Sequence, residues 1–165
     1  MTSGIVRRID DLGRIVIPKE IRRVLKISEG DNLEINVDDD KIILRKYSVL
    51  DNLIELFNRI VDSYHKNFKK EILITDKEKI ISSKNEYLNS NLSNNIKELM
   101  KERKEKFISS SNINVGGEKV NFYIVPLIIF GDIVGSIILI CDDVSDIDKS
   151  NINFINTFLI KNIEE

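Results

Sequence analysis

The segment that decides the fold of this chain spans residues 4–26 and reads Gly-Ile-Val-Arg-Arg-Ile-Asp-Asp-Leu-Gly-Arg-Ile-Val-Ile-Pro-Lys-Glu-Ile-Arg-Arg-Val-Leu-Lys. Its first part predicts a β-hairpin, because Ile5–Ile9 and Arg14–Ile17 are rich in β-branched residues and flank a turn cluster that ends at Gly13. Pro18 suits the first position of a helix, where its missing N–H costs nothing. A short helix is therefore predicted to follow the hairpin.

The predicted helix separates charged from apolar side chains. At about 100° per residue, its apolar residues Ile21, Val24 and Leu25 fall on one side, which is expected to enter a core. The cations fall on the opposite stripe, and they are Lys19, Arg22, Arg23 and Lys26. Like charges on two turns repel each other, so a polyanion is expected to compensate them, and the commonest polyanion is a phosphate backbone.

Charge and arginine are unevenly distributed along the chain. The net charge is −2, but residues 1–26 carry seven cations and three anions, a local charge of +4. Six of the eight arginines lie within the first 45 residues. Because the arginine fork suits phosphate and guanine edges, this region is predicted to bind nucleic acid, although the pI of 5.6 is mildly acidic.

The next residues predict a second pair of strands. Leu33, Ile35 and Val37 alternate with polar residues as in a half-buried strand, and an aspartate turn at 38–40 leads into a return strand over Lys41–Lys46. Such a small unit closes a core only with a metal, a disulfide or a partner chain. A single cysteine excludes an intrachain disulfide and a cysteine-cluster metal site, so obligate dimerisation is predicted.

Residues 48–69 predict an amphipathic linker helix. Its apolar seam has alternating spacings of three and four residues and consists of Leu50, Leu53, Phe57, Ile60 and Tyr64. This is the spacing of a short coiled coil. The seam is expected to pair with its copy in a dimer, to lie on the following domain, or to do both.

Residues 70–165 predict a second domain of hairpins and helices. The hairpin turns are predicted at Asp76-Lys77-Glu78, at Gly116-Gly117 and at Gly131-Asp132, and the strands around them are Ile72–Thr75, Lys79–Ile81, Phe107–Val115, Val120–Phe130 and Ile133–Cys141. The helices are marked by Leu92, Ile96, Leu99, Met100 and Arg103, and by Ile152, Ile155, Leu159 and Ile163 after a cap at Val144-Ser145-Asp146. This pattern predicts an antiparallel α+β fold.

The sequence shows no arrangement typical of a catalytic or metal site. His65 is the sole histidine, and Cys141 lies in an apolar run where a buried structural thiol is expected. We therefore predict no enzymatic activity, no metal and no cofactor. No signal peptide opens the chain and no apolar run approaches about 20 residues, so a cytoplasmic protein without a membrane segment is expected.

The first 47 residues resemble the DNA-binding domain of the AbrB/SpoVT family of transition-state regulators. The resemblance rests on the segment quoted above and continues through Leu33–Asp38 and Ile42–Tyr47. It implies a swapped-hairpin β-barrel formed by two chains, which agrees with the predicted dimer. It also implies DNA contacts by the arginines that match the motif, namely Arg7, Arg8, Arg14, Arg22 and Arg23.

The helical stripe adds Lys19 to the arginines as a candidate DNA-binding residue. Arg7 and Arg8 are adjacent on a predicted strand and point to opposite faces, so one of the two is expected to face DNA and the other to pack at the dimer edge.

The hairpin around Pro126–Leu139 resembles the late strands of a GAF domain. A head of AbrB type, an amphipathic linker and a GAF-like tail together resemble the sporulation regulators of the family, which implies control of forespore genes in spore-forming Firmicutes. The GAF-like domain has three candidate roles: to bind a small-molecule effector, to dimerise without ligand, or to join two dimers into a tetramer. Ser109-Ser110-Ser111-Asn112 is the candidate lining of an effector pocket.

The sequence thus predicts a DNA-binding domain over 1–47, a linker helix over 48–69 and a GAF-like domain over 70–165. The predicted protein is a homotetrameric transcriptional regulator that binds double-stranded DNA. The alternative is a MazE-like antitoxin and autorepressor that binds DNA and a partner protein, since those antitoxins share the swapped-hairpin head. Periodic apolar residues after position 50 argue against the disordered tail of such an antitoxin.

Overall fold

A computed structural model of the chain describes residues 4–84, 86–109, 114–115 and 117–164. The chain divides into two compact units, Met1–Ser48 and Val49–Glu165. The first unit contains a turn around residues 10–14, the helix α1 over Lys19–Val24, and an antiparallel pair formed by β1, Leu33–Asp38, and β2, Lys41–Lys46. Asp39 adopts a left-handed conformation with φ of 51° and closes the predicted aspartate turn between the two strands.

The predicted hairpin over residues 4–17 is present as a turn but not as a pair of strands. Asp10 and Arg14 are joined by a backbone hydrogen bond of 3.1 Å, yet neither flank of the turn is a strand in this single chain. The prediction of strands within the chain is therefore wrong. The physical reason is that an isolated two-stranded ribbon buries too little apolar area to hold its ladder together.

The apolar face predicted for α1 is not buried. Ile21, Val24 and Leu25 are all exposed, Val24 to 76%, and Ile35 and Val37 of the strand predicted to be half-buried are exposed as well. These two predictions are wrong for the single chain. Among the described residues of the first unit none of the large apolar side chains is buried, because the unit has no second layer to cover them.

The ends of α1 also differ from the prediction. Pro18 occupies the N-cap rather than the first helical position, with ψ of 147°. Lys26 lies outside the helix in a left-handed conformation with φ of 52°, since the helix ends at Val24. The predicted cationic stripe is therefore shorter by one lysine.

The second unit is built on a five-stranded antiparallel sheet with the order β4-β3-β9-β8-β5. Its strands are β3, Glu71–Thr75; β4, Ile80–Ser82; β5, Lys106–Ile108; β8, Phe122–Ile129; and β9, Asp132–Ile140. The central strands β9 and β8 are apolar along most of their length and are buried on both faces, as expected for strands covered by helices. The predicted α+β fold with an antiparallel sheet is confirmed.

The turn between β8 and β9 is shifted by one residue from its predicted place. Ile129 pairs with Asp132, so the two turn residues are Phe130 and Gly131, both with positive φ. The sequence suggested Gly131-Asp132 because a two-residue turn of this kind needs residues with positive φ. Two side chains hold the turn: Arg103 donates to the Gly131 carbonyl at 2.8 Å, and Glu164 accepts from the Phe130 amide at 3.0 Å.

The region predicted as one strand over Phe107–Val115 contains two short strands. The described part has β5 and then β6, Asn114–Val115, which pairs with β7, Glu118–Lys119. Residues 110–113, including Ser110, Ser111 and Asn112 of the candidate effector lining, and Gly116 of the predicted turn lie outside the described residues.

Helices cover both faces of the sheet. A 3-10 turn over Asp51–Leu53, the helix α2 over Ile54–Phe68 and the helix α4 over Asp146–Glu164 pack on one face, and α3, Asn94–Lys101, packs on the other. The seam predicted for the linker enters the first of these cores, where Leu50, Phe57 and Tyr64 are buried. Of the two placements expected for the seam, the structure shows the one on the following domain.

The caps of α3 and α4 explain where these helices begin. Ser93 accepts a hydrogen bond from the Ile96 amide, and Ser145 accepts one from the Asp148 amide while Asp148 accepts from the Ser145 amide. Of the four inward residues predicted for the terminal helix, Ile152, Ile155 and Leu159 are buried and Ile163 is half-buried. Among the described helices, none combines the length and the apolar character that a bilayer crossing requires.

Candidate nucleic-acid interface

The six predicted DNA-binding side chains are all exposed in the first unit. They are Arg7, Arg8, Arg14, Lys19, Arg22 and Arg23. Within the part of the chain that the structure describes, Arg14 forms an ion pair with Asp10, and the other five form none. An exposed cluster with so few internal counter-charges leaves its charge available to an external anion.

The short helix α1 brings three of the cations together. Arg22 and Arg23 follow Lys19 by three and four residues, and this spacing places all three on one side of the helix. Arg22 and Arg23 occupy its last turn, where the helix dipole favours positive charge. The structure therefore supports three members of the predicted stripe as one cationic surface.

Contacts of Lys46 hold the segment that follows the C-terminal end of α1. Lys46 on β2 donates to the Lys26 carbonyl at 3.1 Å and forms an ion pair with Asp31 at 2.9 Å. Asp31 also accepts from the Ser28 amide at 2.7 Å. Since a six-residue helix without a buried face is unstable alone, these contacts anchor it to the β1–β2 pair.

Arg14 is placed by the turn that precedes it. Its Nε donates to Asp10 Oδ2 at 2.8 Å, and the hydrogen bonds from the Arg14 backbone and side chain hold the pKa of Asp10 below its ordinary value. The Arg14 side chain remains 70% exposed. Asp10 was not among the predicted site residues, although an aspartate at the start of a turn and an arginine four positions later are a recognisable signal.

Arg7 and Arg8 lie in the segment before this turn, which is neither helix nor strand. Both side chains are exposed, so burial does not distinguish a DNA-facing arginine from one at a dimer edge. The division of roles between these two residues stays a prediction.

The second unit contains one groove of note between α2 and α4. It has a volume of about 320 Å³, and it is lined by Ile60, Ser63, Tyr64, Asn67, Phe68, Asn151, Phe154 and Ile155. Burial raises the pKa of Tyr64 to about 12, so its hydroxyl stays protonated. The groove does not include Ser109, the described member of the candidate effector lining.

A metal site or a catalytic thiol among the described residues would need converging ligands or a reactive cysteine. No three histidine, cysteine or acidic side chains converge there as metal ligands. Cys141 is half-buried, and burial raises the pKa of its thiol, which therefore stays protonated. The expected absence of a metal, a cofactor and an enzymatic activity stays a prediction.

Models of two protein families match successive parts of the chain. One, described as stage V sporulation protein T C-terminal, transcription factor, matches residues 52–164, and the other, described as antidote-toxin recognition MazE, bacterial antitoxin, matches residues 6–49. The first match covers more than half of the chain and coincides with the second structural unit.

Individual relatives extend these matches. Stage V sporulation protein T of Bacillus subtilis (strain 168) is 37% identical over 175 aligned residues, covering 99% of this chain and 98% of the relative. Transition state regulatory protein AbrB of the same strain is 65% identical over 46 residues, which are 28% of this chain and 48% of AbrB. A crystal structure of a methyl-accepting chemotaxis protein, residues 122 to 287, has a TM-score of 0.53 at 12% identity, covering 66% of this chain and 85% of that one, and this likeness concerns the fold alone.

Proposed function

The chain belongs to the stage V sporulation protein T family, and on that premise we propose that it regulates transcription of sporulation genes by binding duplex DNA. The observation that carries this proposal is the exposed cationic surface of the first unit, in which Lys19, Arg22 and Arg23 share one helix without internal ion pairs among the described residues. Phosphate contacts and DNA shape dominate such binding, because a six-residue helix is too short to follow a major groove. A cytoplasmic location is part of this proposal, because the protein would act where the DNA lies.

Gel shifts and footprinting on a mixed-sequence duplex test the proposed interface. Arg14→Ala and Arg22→Ala are each expected to weaken binding to all sequences without changing the oligomeric state. Lys77→Ala is the matched control, since it removes an exposed cation from the β3–β4 turn of the second unit. Equal binding by the parent and both arginine variants would remove the basis of the proposal.

The first unit is proposed to function as a dimer. Fifteen of its large apolar side chains are exposed, and Pro18 is the one residue buried among those described between 4 and 48. No stable unit leaves so much apolar surface in water, so a second copy is the natural cover. The swapped hairpin implied by the family would also give the unpaired flanks of the 10–14 turn their missing strands.

The second unit is proposed to join two such dimers through the outer face of α4. Ile147, Asn151, Phe154 and Phe158 follow the alternating spacing of four, three and four residues that is typical of a helix–helix seam. Phe154 is 72% exposed and stacks on Phe158 with ring centroids 6.5 Å apart, beside the groove that α4 forms with α2. Four DNA-binding segments in one particle would raise avidity without new contacts.

A small-molecule effector for the second unit is a further candidate partner. A ligand that binds the folded state raises the melting temperature by mass action. Thermal melts of the full chain with a metabolite panel therefore separate a sensing role, which predicts a shift with at least one compound, from a purely assembling role, which predicts none.

The antitoxin function is the second candidate, because the MazE model matches residues 6–49. Antitoxins of that kind use a disordered tail, whereas residues 49–165 of this chain form a compact unit with its own core. Limited proteolysis of the full chain distinguishes the two functions. The regulator predicts a resistant fragment that begins near residue 49, and the antitoxin predicts rapid digestion of that region.

A further inference from the structure

The carboxylate of Asp10 is engaged on both of its oxygens. Oδ1 accepts from the backbone amides of Leu12 at 3.0 Å and of Arg14 at 2.8 Å, while Oδ2 accepts from Arg14 Nε at 2.8 Å. The backbone closes around it, since the Gly13 amide donates to the Asp10 carbonyl at 2.9 Å. One side chain therefore shapes the turn and also holds the arginine that follows it.

This arrangement fixes the direction of the Arg14 guanidinium. The group is a planar fork, so once Nε binds the carboxylate, the edge that carries the two Nη atoms is directed away from it. That edge has no partner among the described residues, and the side chain is 70% exposed. A free arginine loses rotamer freedom when it binds, whereas one that is already held loses less.

We propose that Asp10 is a positioning residue for DNA binding, which holds Arg14 with its Nη groups directed at a phosphate of the duplex. This inference rests on the proposed function and assigns a role to an acidic residue within a cationic surface. Hydrogen bonds from Arg14 keep the pKa of Asp10 below its ordinary value, so the carboxylate is charged at neutral pH.

Positioning and simple electrostatics predict opposite effects of removing this charge. A carboxylate near a phosphate repels it, so neutralising Asp10 strengthens DNA binding if only charge matters. If Asp10 positions Arg14, neutralising it weakens binding. Asp11 is the matched control, because it carries the same charge one residue away, is exposed, and makes no hydrogen bond through its side chain within the described residues.

The experiment measures the affinity of the full chain for a mixed-sequence duplex by fluorescence anisotropy. Asp10→Asn keeps an oxygen for the turn and removes the ion pair, and it is expected to weaken binding about three- to tenfold. Asp11→Asn is expected to leave binding unchanged or to strengthen it. Asp10→Ser is a second variant with the same expectation as Asp10→Asn, since a hydroxyl caps the same kind of turn.

A double-mutant cycle separates positioning from a general effect on the turn. Lysine has no Nε fork to clamp, so in an Arg14→Lys background Asp10→Asn is expected to behave like Asp11→Asn and to leave binding unchanged or strengthen it. The inference is overturned if Asp10→Asn in the parent background binds like Asp11→Asn, or if it weakens binding equally in both backgrounds. Arg14→Ala is measured beside the cycle: parent-like binding by this variant would remove Arg14 from the proposed interface, whereas weakened binding by it would confine a failure to the Asp10 inference alone.

Discussion

Gly135 on β9 lies so close to Thr75 on β3 that no side chain fits between the strands. A Cβ at this position would lie 1.9 Å from the Thr75 carbonyl oxygen. The next residue, Ser136, is buried and its hydroxyl is 2.8 Å from the Thr75 hydroxyl. The glycine thus permits a close approach of two backbones that a buried polar pair then stabilises.

Gly135→Ala is expected to destabilise the second unit severely. The methyl group must displace backbone rather than a flexible side chain, so we expect the free energy of unfolding to fall by about 3 kcal/mol. Thermal and denaturant unfolding of the full chain measure this loss. Gly4→Ala is the control, because nothing lies within 4 Å of its added Cβ, and a parent-like Gly135→Ala would contradict the observed strand spacing.

Single residues show what local sequence patterns predict well and what they miss. The exposure of Arg22 and Arg23 was predictable, because helical periodicity alone separates cations from apolar residues. The need for Gly135 was not, since a glycine within an apolar run gives no sign of the backbone that approaches it from a strand 60 residues earlier. Contacts between distant parts of the chain leave no local signal.

At the N-terminus of α4, a buried aspartate joins two elements. Asp148 is 4% exposed, and its carboxylate accepts from Lys70 Nζ at 2.6 Å and from the Ser145 hydroxyl at 2.6 Å. Burial alone would raise the pKa of Asp148, but the hydrogen bonds from Lys70 and Ser145 hold it below its ordinary value of 3.8. The charged form therefore stabilises the fold.

This pair gives the second unit a predictable dependence on pH. Because the pKa of Asp148 is lower in the folded state, its stabilisation is present above pH 3.8 and is lost as the pH falls further, through the folded pKa. Asp148→Asn is expected to reduce the free energy of unfolding at neutral pH by about 1–2 kcal/mol, a modest loss because Lys70 keeps 39% of its side chain exposed.

Melting curves of the parent and Asp148→Asn across this pH range test the assignment. The difference between them should close as Asp148 becomes protonated. Asp146→Asn is the control, since it removes an exposed acidic residue from the same helical turn. A difference in melting temperature that stays the same at every pH would contradict the assignment, because the stabilisation by the Lys70–Asp148 contact would then not depend on the charge of Asp148.

The elements of the second unit were largely predictable, and those of the first unit were predictable only in part. Alternating apolar residues and turn signals located β3, β4, β8, β9 and α4 because each buries its own face within the chain. The strands predicted over 4–17 bury no face in a single chain, so their apolar residues would be buried only against another copy. Within residues 4–17 only the turn, which needs local residues alone, forms where it was predicted.

At the scale of the whole molecule, the outer face of α4 is proposed to join two dimers into a tetramer. Phe154→Lys places a charge in the proposed seam and is expected to yield dimers in sedimentation velocity. Phe130→Lys is the matched control, because Phe130 is 71% exposed, close to the 72% of Phe154, but lies in the β8–β9 turn. A Phe154→Lys variant that sediments like the parent would contradict the seam.

In the proposed assembly, paired first units together present a cationic surface to DNA. The measurement that tests it most directly is the salt dependence of DNA affinity for the parent and for Arg22→Ala/Arg23→Ala. Each lost phosphate contact makes the negative slope of log K against log salt shallower by about 0.9, and a dimer carries each arginine twice, so the magnitude of the slope is predicted to fall by up to about 3.6. An unchanged affinity and slope would contradict the claim.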